Sequence, residues 1–405
     1  MDPKRIWELV ESQREFLVST RREIHQHPEL SFKEVRTAAL IANILSDAGY
    51  TPTTGIGSGQ TGLWAVLEGG LPGPTIALRA DTDALPIDEK NDLPFRSQNP
   101  GVMHACGHDA HTAILLATAR ALKEVQQEVP GRVVFLFQHA EEFPPGGAIE
   151  MIEAGCLEGV DAVFGLHQSP RKVPGELVVV PGARAASSDT FRISVNGRGG
   201  HGAAPHVTID PVQVGAELVS ALHHIVSRRI NPLEPAVITV GTFQAGTKEN
   251  IIADTAHMTG TVRAFSEDVR KSLQREIETV TKGITSSWGA TYEMEYVWGY
   301  PVLTNDDLMA ELGARAAELV LGAESVMRTG PAIMGAEDFA HYLNQVPGAF
   351  AFVGSGDAAV PEPERGQAHS PRFVLHEGAM PVGVAWYLSL ISNFSELRAE
   401  LAATK

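Results

Sequence analysis

Apolar runs alternate with helical patterns along the first part of the chain. Short runs rich in β-branched and large apolar residues, which are typical of strands, lie at 62–69, 75–81, 132–142 and 160–167. Segments with apolar residues at helical spacing lie at 33–48, 110–125 and 146–154. Strands that alternate with helices indicate a largely parallel sheet covered on both faces. The sequence therefore predicts an α/β fold with a mixed, mostly parallel sheet flanked by helices.

A second pattern begins near residue 186. It predicts strands and helices in the order β-α-β-β-α-β, at 190–197, 210–229, 235–244, 257–265, 266–284 and 291–298. That order is typical of a ferredoxin-like α+β domain. Because strands and helices of the first kind resume afterwards, we interpret this domain as an insertion. The predicted domains are 1–185 with 299–405, and the inserted 186–298; a Pro- and Glu-rich stretch at 361–366 predicts a surface loop.

Charge and composition restrict the classes of partner. The chain has 49 acidic and 32 basic residues, a net charge of −17, which opposes binding to nucleic acid or to anionic membranes. No apolar run approaches the roughly 18 residues of a membrane helix, and the charged N-terminus lacks the apolar core of a secretory signal. Two cysteines cannot form a disulfide framework. We therefore expect a cytoplasmic protein that acts on a small molecule.

Metal-capable side chains are concentrated in MHACGHDAH (103–111). Thiolate and imidazole are preferred ligands of zinc and similar ions, and a spacing of two lets Cys106 and His108 reach one centre. A buried cysteine beside helix-capping histidines is the structural alternative for such a short motif. The metal hypothesis is favoured because Glu142, His167 and His369 supply further ligand types at predicted strand ends and loops, where α/β sheets bind ligands.

Two adjacent carboxylates, Glu141 and Glu142, follow the predicted strand VVFLFQHA. A solvated pair at a strand end is again the structural alternative. Adjacent residues on extended chain point in opposite directions, so one carboxylate could bind metal while the other faces the substrate. This arrangement suits metal-assisted hydrolysis, in which a base takes a proton from an activated water and delivers it to the leaving group.

Several motifs, taken together and in order, resemble one enzyme family. They are RREIHQHPELSFKE (21–34), MHACGHDAH, HAEE, GLHQSP, GGHGAAPH, KENIIAD with GTVRAF, MGAEDFA and AHSP. The chain resembles, over almost its whole length, the two-metal aminoacylase/carboxypeptidase metallopeptidases. The most similar branch is that of N-acyl-amino-acid amidohydrolases, hippurate hydrolases and auxin-conjugate hydrolases. The resemblance implies a zinc-peptidase-like catalytic domain and an inserted lid domain through which a homodimer or dimer-based oligomer forms.

The resemblance also implies a role for individual residues. The ligands of two divalent ions (Zn, Mn, Co or Ni) would be Cys106, His108, Glu142, His167 and His369. Glu141 would be the general base, and Asp83 would orient a ligand, whereas Asp81 is left out of the ligand set.

Three residues of the inserted domain are assigned in the same way. His201 would reach a partner subunit's site and polarise the scissile carbonyl, and Asn250 and Arg263 would grip the substrate's carboxylate and oxyanion. Their structural alternatives are a loop residue for His201, a turn cap for Asn250 and an internal salt bridge for Arg263.

The predicted function is metal-dependent hydrolysis of the amide in an N-acyl amino acid, which releases a carboxylic acid and a free amino acid. One rival is a dipeptidase or carboxypeptidase on the same scaffold, whose dipeptide substrates carry a free α-amino group. A second rival is a non-catalytic protein that binds metal or amino acids. Retention of Glu141 opposes the second rival, because metal binding does not require that base.

Overall fold

The computed structural model describes residues 1–361 and 367–403, so most of the predicted loop at 361–366 lies outside the described residues. The chain divides into two compact units. The large unit comprises Met1–Arg184, Thr304–Pro331 and the part of the chain from Asp338 onward, and the small unit comprises Ala185–Leu303 and Ala332–Glu337. The short segment Ala332–Glu337 thus belongs with the inserted sequence, although it follows that sequence in the chain.

The elements are numbered in chain order. The helices are α1 Pro3–Ser12, α2 Arg14–Gln26, α3 Val35–Asp47, α4 His108–Glu124, α5 Gly147–Glu153, α6 Pro211–Arg229, α7 Glu267–Ser287, α8 Asp307–Leu321, α9 Ala340–Leu343 and α10 Met380–Ala403. The first strands are β1 Thr53–Ile56, β2 Gly62–Glu68, β3 Leu71–Asp81, β4 Pro130–Gln138, β5 Ala162–Ser169, β6 Leu177–Val178, β7 Gly182–Ala185 and β8 Ser188–Asn196. The remaining strands are β9 Gly200–His201, β10 Ala236–Ala245, β11 Ile251–Ile252, β12 Thr255–Ala264, β13 Thr291–Tyr300, β14 Leu303–Asn305, β15 Val326–Met327 and β16 Gly348–Gly354. Among the described residues, no helix is both long enough and apolar enough to cross a membrane.

The large unit is built on one sheet with the order β1-β2-β4-β3-β5-β16-β6-β15. The four central strands, β4, β3, β5 and β16, are parallel to one another, while β1 and β2 form an antiparallel edge. Residues 133–138 of β4 are all buried, as expected for a parallel strand covered by helices on both faces. The predicted α/β class with a mostly parallel mixed sheet is confirmed.

The carboxyl ends of the central strands meet at one edge. Asp81 at the end of β3 stands in register with Gln138 at the end of β4, and His167 lies near the end of β5. Helix α4 begins at the same edge with His108, which is buried. Parallel strands bring their carboxyl ends together, so residues far apart in the sequence become neighbours here.

One predicted strand is shorter than the sequence pattern indicates. The strand predicted at 132–142 ends at Gln138, and Ala140 has φ +52°. A residue in the left-handed region cannot continue an extended strand, because that region turns the backbone. Glu141 and Glu142 therefore lie in a turn, and the argument that they alternate along an extended strand is wrong.

The small unit has a four-stranded antiparallel sheet with the order β10-β12-β8-β13. Helices α6 and α7 pack on it through buried apolar residues that include Leu218, Leu222, Leu273 and Ile277. Strands β9 and β11 form a separate two-stranded ribbon in which His201 is paired with Ile251. The chain order β8-α6-β10-β12-α7-β13 confirms the predicted ferredoxin-like arrangement.

Candidate metal centre

Two residues with positive φ, Gly107 and His369, set the backbone direction at three candidate ligands. Gly107, at φ +97°, lies between Cys106 and His108, and this conformation suits glycine because it has no Cβ. His369 itself has φ +63°, and its N–H donates to the Ala105 carbonyl at 2.8 Å. Residues held in this region often mark a functional site. Here they present a thiol and two imidazoles toward the carboxyl ends of the central strands.

The five predicted metal ligands lie together in the large unit. The atoms Cys106 Sγ and His167 Nε2 are 3.3 Å apart, and His369 Nε2 lies 3.2 Å from Glu142 Oε1. Ligand atoms of Cys106, His108 and His167 all lie within 4.8 Å of one another, and so do those of Cys106, Glu142 and His369. The cluster is thus two overlapping groups of three donors that share Cys106.

Hydrogen bonds leave the same nitrogen available on two of the histidines. His108 Nδ1 lies 3.2 Å from Asp83 Oδ1, and His167 Nδ1 lies 2.7 Å from the Gln168 carbonyl. Each Nδ1–H donates to its oxygen, so Nε2 is the nitrogen that faces the cluster and can offer a lone pair once it carries no proton. A metal-binding histidine usually donates its other ring N–H in this way.

Asp83 is fully engaged as a hydrogen-bond acceptor. Besides His108, it accepts the Ser31 hydroxyl at 2.7 Å and the Glu142 backbone N–H at 2.9 Å, both on Oδ2. It therefore orients both the His108 imidazole and the backbone of the Glu pair. That Asp83 orients a metal ligand stays a prediction.

Asp81 and His111 also lie near His108, but their ligand atoms are occupied. Asp81 Oδ1 is 2.6 Å from His111 Nδ1, and Asp81 Oδ2 accepts from Arg79 at 2.6 Å. His111 Nε2 accepts the Gln168 backbone N–H at 2.9 Å, which fixes the ring as neutral with its proton on Nδ1. Asp81 and His111 therefore bind each other and their neighbours through these atoms, and the exclusion of Asp81 from the ligand set stays a prediction.

The electrostatics of the cluster favour a bound cation. Burial raises the pKa of the Cys106 thiol well above its ordinary value, and the nearby Glu142 and Glu141 carboxylates raise it further. Burial lowers the pKa of His108, but the carboxylates of Asp81, Asp83 and Glu142 outweigh this effect and raise that pKa to about 10. A divalent cation would compensate the carboxylates and stabilise the thiolate.

One buried atom provides independent evidence that the cluster suits a metal ion. His108 Nε2 is buried and has no hydrogen-bond partner among the described residues. Leaving a polar atom buried and unsatisfied costs about 1–3 kcal/mol, so native proteins rarely do so without a purpose. A metal ion at this nitrogen would satisfy it, and the thiol, imidazole and carboxylate around it are donors that Zn²⁺ and similar ions accept.

Glu141 lies beside the cluster. It is 6% exposed, and its carboxylate lies within 4.8 Å of ligand atoms of His108 and Glu142. A carboxylate at this place can exchange a proton with a water held in the cluster.

Comparison with known proteins shows the family. The model of peptidase family M20/M25/M40 matches residues 77–393, which is more than half of the chain. The chain belongs to this family. It is therefore a hydrolase, and the predicted resemblance to the aminoacylase/carboxypeptidase metallopeptidases is confirmed.

Three similar proteins match most of the chain. An N-acyl-L-amino acid amidohydrolase of Geobacillus stearothermophilus is 45% identical over 312 residues, 76% of this chain and 83% of the relative. Thermostable carboxypeptidase 1 of Saccharolobus solfataricus is 38% identical over 386 residues, 94% of this chain and 96% of the relative. The crystal structure of YXEP of Bacillus subtilis, described as a dinuclear metal binding peptidase of the M20 family, has a TM-score of 0.83. It is 35% identical and covers 95% of this chain and 99% of that one.

The remaining predicted residues of this M20 protein lie in the small unit. His201 is exposed in β9, where its Nδ1 accepts the Ala203 N–H at 3.0 Å. Asn250 lies beside it, because its carbonyl accepts the Gly202 N–H at 2.9 Å. Arg263 lies on β12 and makes no salt bridge within the described part of the chain, so the internal ion pair considered as its alternative is not observed.

Two buried charged residues near the candidate metal centre have no predicted role. Arg79 donates from β3 to Asp81, Asp338 and Gln138, at 2.6, 2.7 and 2.8 Å. Arg79 could have been recognised from TIALRAD (75–81), where one arginine interrupts an apolar strand. Glu34, the last residue of RREIHQHPELSFKE, is the other, and it has no comparable local signal.

Proposed function

We propose that this M20 hydrolase is a metal-dependent amidohydrolase that cleaves the amide bond of N-acyl amino acids. The products are a carboxylic acid and a free amino acid. The observation that carries the proposal is the convergence of five metal-capable side chains with a buried carboxylate, Glu141, beside them. The similarity to an N-acyl-L-amino acid amidohydrolase supports the same substrate class.

Two divalent ions would be held by the shared thiol and the four other donors: Cys106, His108, Glu142, His167 and His369. Such ions supply Lewis acidity, which polarises a carbonyl and lowers the pKa of water. Zn²⁺, Mn²⁺, Co²⁺ and Ni²⁺ are the candidates, because each accepts imidazole together with carboxylate or thiolate. Asp83 keeps His108 in the tautomer whose Nε2 faces the ions.

Glu141 is the general base in this proposal. Its carboxylate takes a proton from the attacking water and then donates it to the nitrogen of the departing amino acid. Removal of a general base lowers the rate by about 10² to 10⁴.

Three residues of the small unit have further roles in this proposal. Asn250 and Arg263 bind the carboxylate and oxyanion of the substrate, since a guanidinium suits a bidentate carboxylate. His201 polarises the scissile carbonyl in the site of a second subunit, so that a homodimer formed through the small unit has two composite sites. The enzyme works in the cytoplasm, where the free thiols of Cys106 and Cys156 stay reduced.

A carboxypeptidase activity is the second candidate, because the 38% identical relative from Saccharolobus solfataricus is named a thermostable carboxypeptidase. Both reactions cleave an amide beside a free carboxylate. They differ in the group on the other side of that amide.

A hydrolysis assay separates the two candidates. The enzyme is stripped of metal, loaded with each candidate ion and tested on N-acetyl, N-benzoyl and indole-acetyl amino acids and on dipeptides. The proposal expects higher kcat/KM for the acyl amino acids, with Glu141→Gln as the inactive control. Preference for dipeptides, or hydrolysis that survives in Glu141→Gln, would contradict it.

A further inference from the structure

A buried carboxylate lies behind the Glu pair. Glu34 is fully buried, although its backbone only precedes helix α3. Its Oε1 accepts the Ala140 backbone N–H at 2.8 Å, and its Oε2 accepts the Thr61 hydroxyl at 2.8 Å. Both oxygens are thus used to hold parts of the chain that are distant in sequence.

Glu34 is not needed to cap the helix that follows it. Glu29 fills that role, because its carboxylate accepts the backbone N–H groups of Arg36 and Thr37 at 3.0 and 2.8 Å. These are donors of the first helical turn that otherwise lack an acceptor. The Glu34 side chain is therefore free to extend inward, and its contact with Ala140 needs a separate explanation.

Ala140 is the residue at which the chain leaves β4. Its φ of +52° is uncommon for a residue with a Cβ and carries an energetic cost. Its N–H is held by Glu34, and its carbonyl accepts the Gly147 N–H at 3.1 Å. Hydrogen bonds thus hold the peptide groups on both sides of Ala140, and together they fix its backbone conformation.

The turn at Ala140 sets the position of the next two residues. Glu141 and Glu142 follow directly, and the Glu142 backbone N–H is fixed on Asp83 at 2.9 Å. If Ala140 relaxed to an ordinary negative φ, both carboxylates would leave their present places near His108. The hydrogen bond from Glu34 therefore acts on the metal centre without touching it.

We propose that Glu34 is a positioning residue, which holds Ala140 in the left-handed conformation that turns Glu141 and Glu142 into the metal centre. This inference rests on the proposed function, because it takes Glu142 as a ligand and Glu141 as the base. It gives a role to the end of RREIHQHPELSFKE that the metal ligands themselves do not explain.

Two substitutions separate the hydrogen bond from the charge of Glu34. Glu34→Gln removes the charge but keeps an oxygen for the Ala140 N–H, while its amide N–H can donate to Thr61. Glu34→Asp keeps the charge, but its carboxylate is one methylene too short to reach Ala140 in place. The proposal expects Glu34→Asp to do more damage than Glu34→Gln.

The measurement is the affinity of the metal-free protein for Zn²⁺, determined by competition with a chromophoric chelator. Glu34→Asp should weaken binding about 10- to 100-fold, as loss of a residue that orients a ligand usually does, and Glu34→Gln should lose less. At saturating Zn²⁺ the remaining loss for an N-acyl amino acid should fall on kcat and not on KM, because the base is displaced and no substrate contact is. Asn305→Ala is the matched control, since Asn305 is also buried and accepts a backbone N–H, that of Phe350 on β16 at 2.7 Å, without a hydrogen bond to Ala140 or the Glu pair. It should lower the thermal unfolding temperature without weakening Zn²⁺ binding.

A second substitution tests the mechanism directly. Glycine adopts positive φ at little cost, so Ala140→Gly added to Glu34→Asp should recover part of the lost Zn²⁺ affinity. A double variant that binds Zn²⁺ no more tightly than Glu34→Asp would overturn the proposal. So would a loss in Glu34→Gln as large as that in Glu34→Asp, or larger, because keeping the acceptor for the Ala140 N–H would then give no protection. If the enzyme hydrolysed no acyl amino acid, only the proposed function would fail, since Zn²⁺ affinity is measured without substrate.

Discussion

Replacing Asp83 by asparagine should weaken metal binding by an amount that follows from its three hydrogen bonds. The carboxylate accepts the His108 imidazole N–H on one oxygen, and the Glu142 N–H and the Ser31 hydroxyl on the other. Asparagine keeps one accepting oxygen and gains a donating amide group. In either orientation of that amide, one N–H of the site faces another donor.

Both orientations of the asparagine amide should weaken metal binding. If the oxygen faces His108, the Glu142 backbone N–H loses its acceptor, and the loop that carries Glu142 loses a restraint. If the oxygen faces Glu142, the amide group disfavours the tautomer of His108 that leaves Nε2 free for metal. An unsatisfied buried donor costs about 1–3 kcal/mol, which corresponds to about 5- to 150-fold in affinity.

The assay is competition for Zn²⁺ against a chelator, with thermal unfolding of the metal-free proteins measured in parallel. Ser31→Ala is the matched control, because it removes one donor from Asp83 and leaves both N–H groups with their acceptor. We expect a much smaller loss of affinity in Ser31→Ala than in Asp83→Asn. Wild-type affinity in Asp83→Asn would refute the reasoning, and equal losses in the two variants would show that the hydroxyl is the important contact.

Three further outcomes are expected. Glu141→Ala should retain bound metal, measured by elemental analysis, and its kcat should fall by about 10² or more. Glu142→Ala should instead lose metal, and the reverse pattern would show that the two roles are exchanged. Burial lowers the pKa of His25, but its hydrogen bonds to Asp109 and a second carboxylate outweigh this and raise the pKa above its ordinary 6.5. The stability that protonated His25 contributes is therefore complete below pH 6.5 and lost as pH rises through the folded value. The difference in unfolding free energy between metal-free wild type and His25→Gln should shrink over that rise, and a difference independent of pH would contradict this. Inactive Glu141→Ala and His201→Ala homodimers, unfolded and refolded together, should recover about a quarter of wild-type activity. Half of the dimers are then mixed, and each mixed dimer has one of its two sites complete. Mixed dimers without activity would exclude a role for His201 across the interface.

The sequence predicts the strands of both sheets well, because burial on one or both faces determines where their apolar residues lie. Strand β4 is covered on both faces, so its apolar run is continuous and stands out from the surrounding sequence. Strand β12 of the small unit instead alternates, with every second residue from Ala256 to Ala264 buried. The boundary between the N-terminal helices α1 and α2 is less clear from the sequence, since apolar residues continue at helical spacing across the break at Gln13.

The resemblance to the metallopeptidases supplies the full set of candidate ligands, and residue type supports it, because cysteine, histidine and glutamate at predicted strand ends and loops are suited to bind a metal. Their arrangement could not be predicted in the same way. Adjacent residues at the end of a strand predict carboxylates on opposite faces, but the structure places Glu141 and Glu142 in a turn.

The cause of that turn is not local. Alanine has no preference for positive φ, so nothing in HAEE indicates that the chain turns at Ala140. The group that holds it, Glu34, lies 106 residues earlier in the chain. A window of neighbouring residues can show which side chains are suited to bind a metal, because that depends on residue type. Where those side chains point depends here on a hydrogen bond between distant segments, which forms only when helix α3 and strand β4 have packed into the same unit.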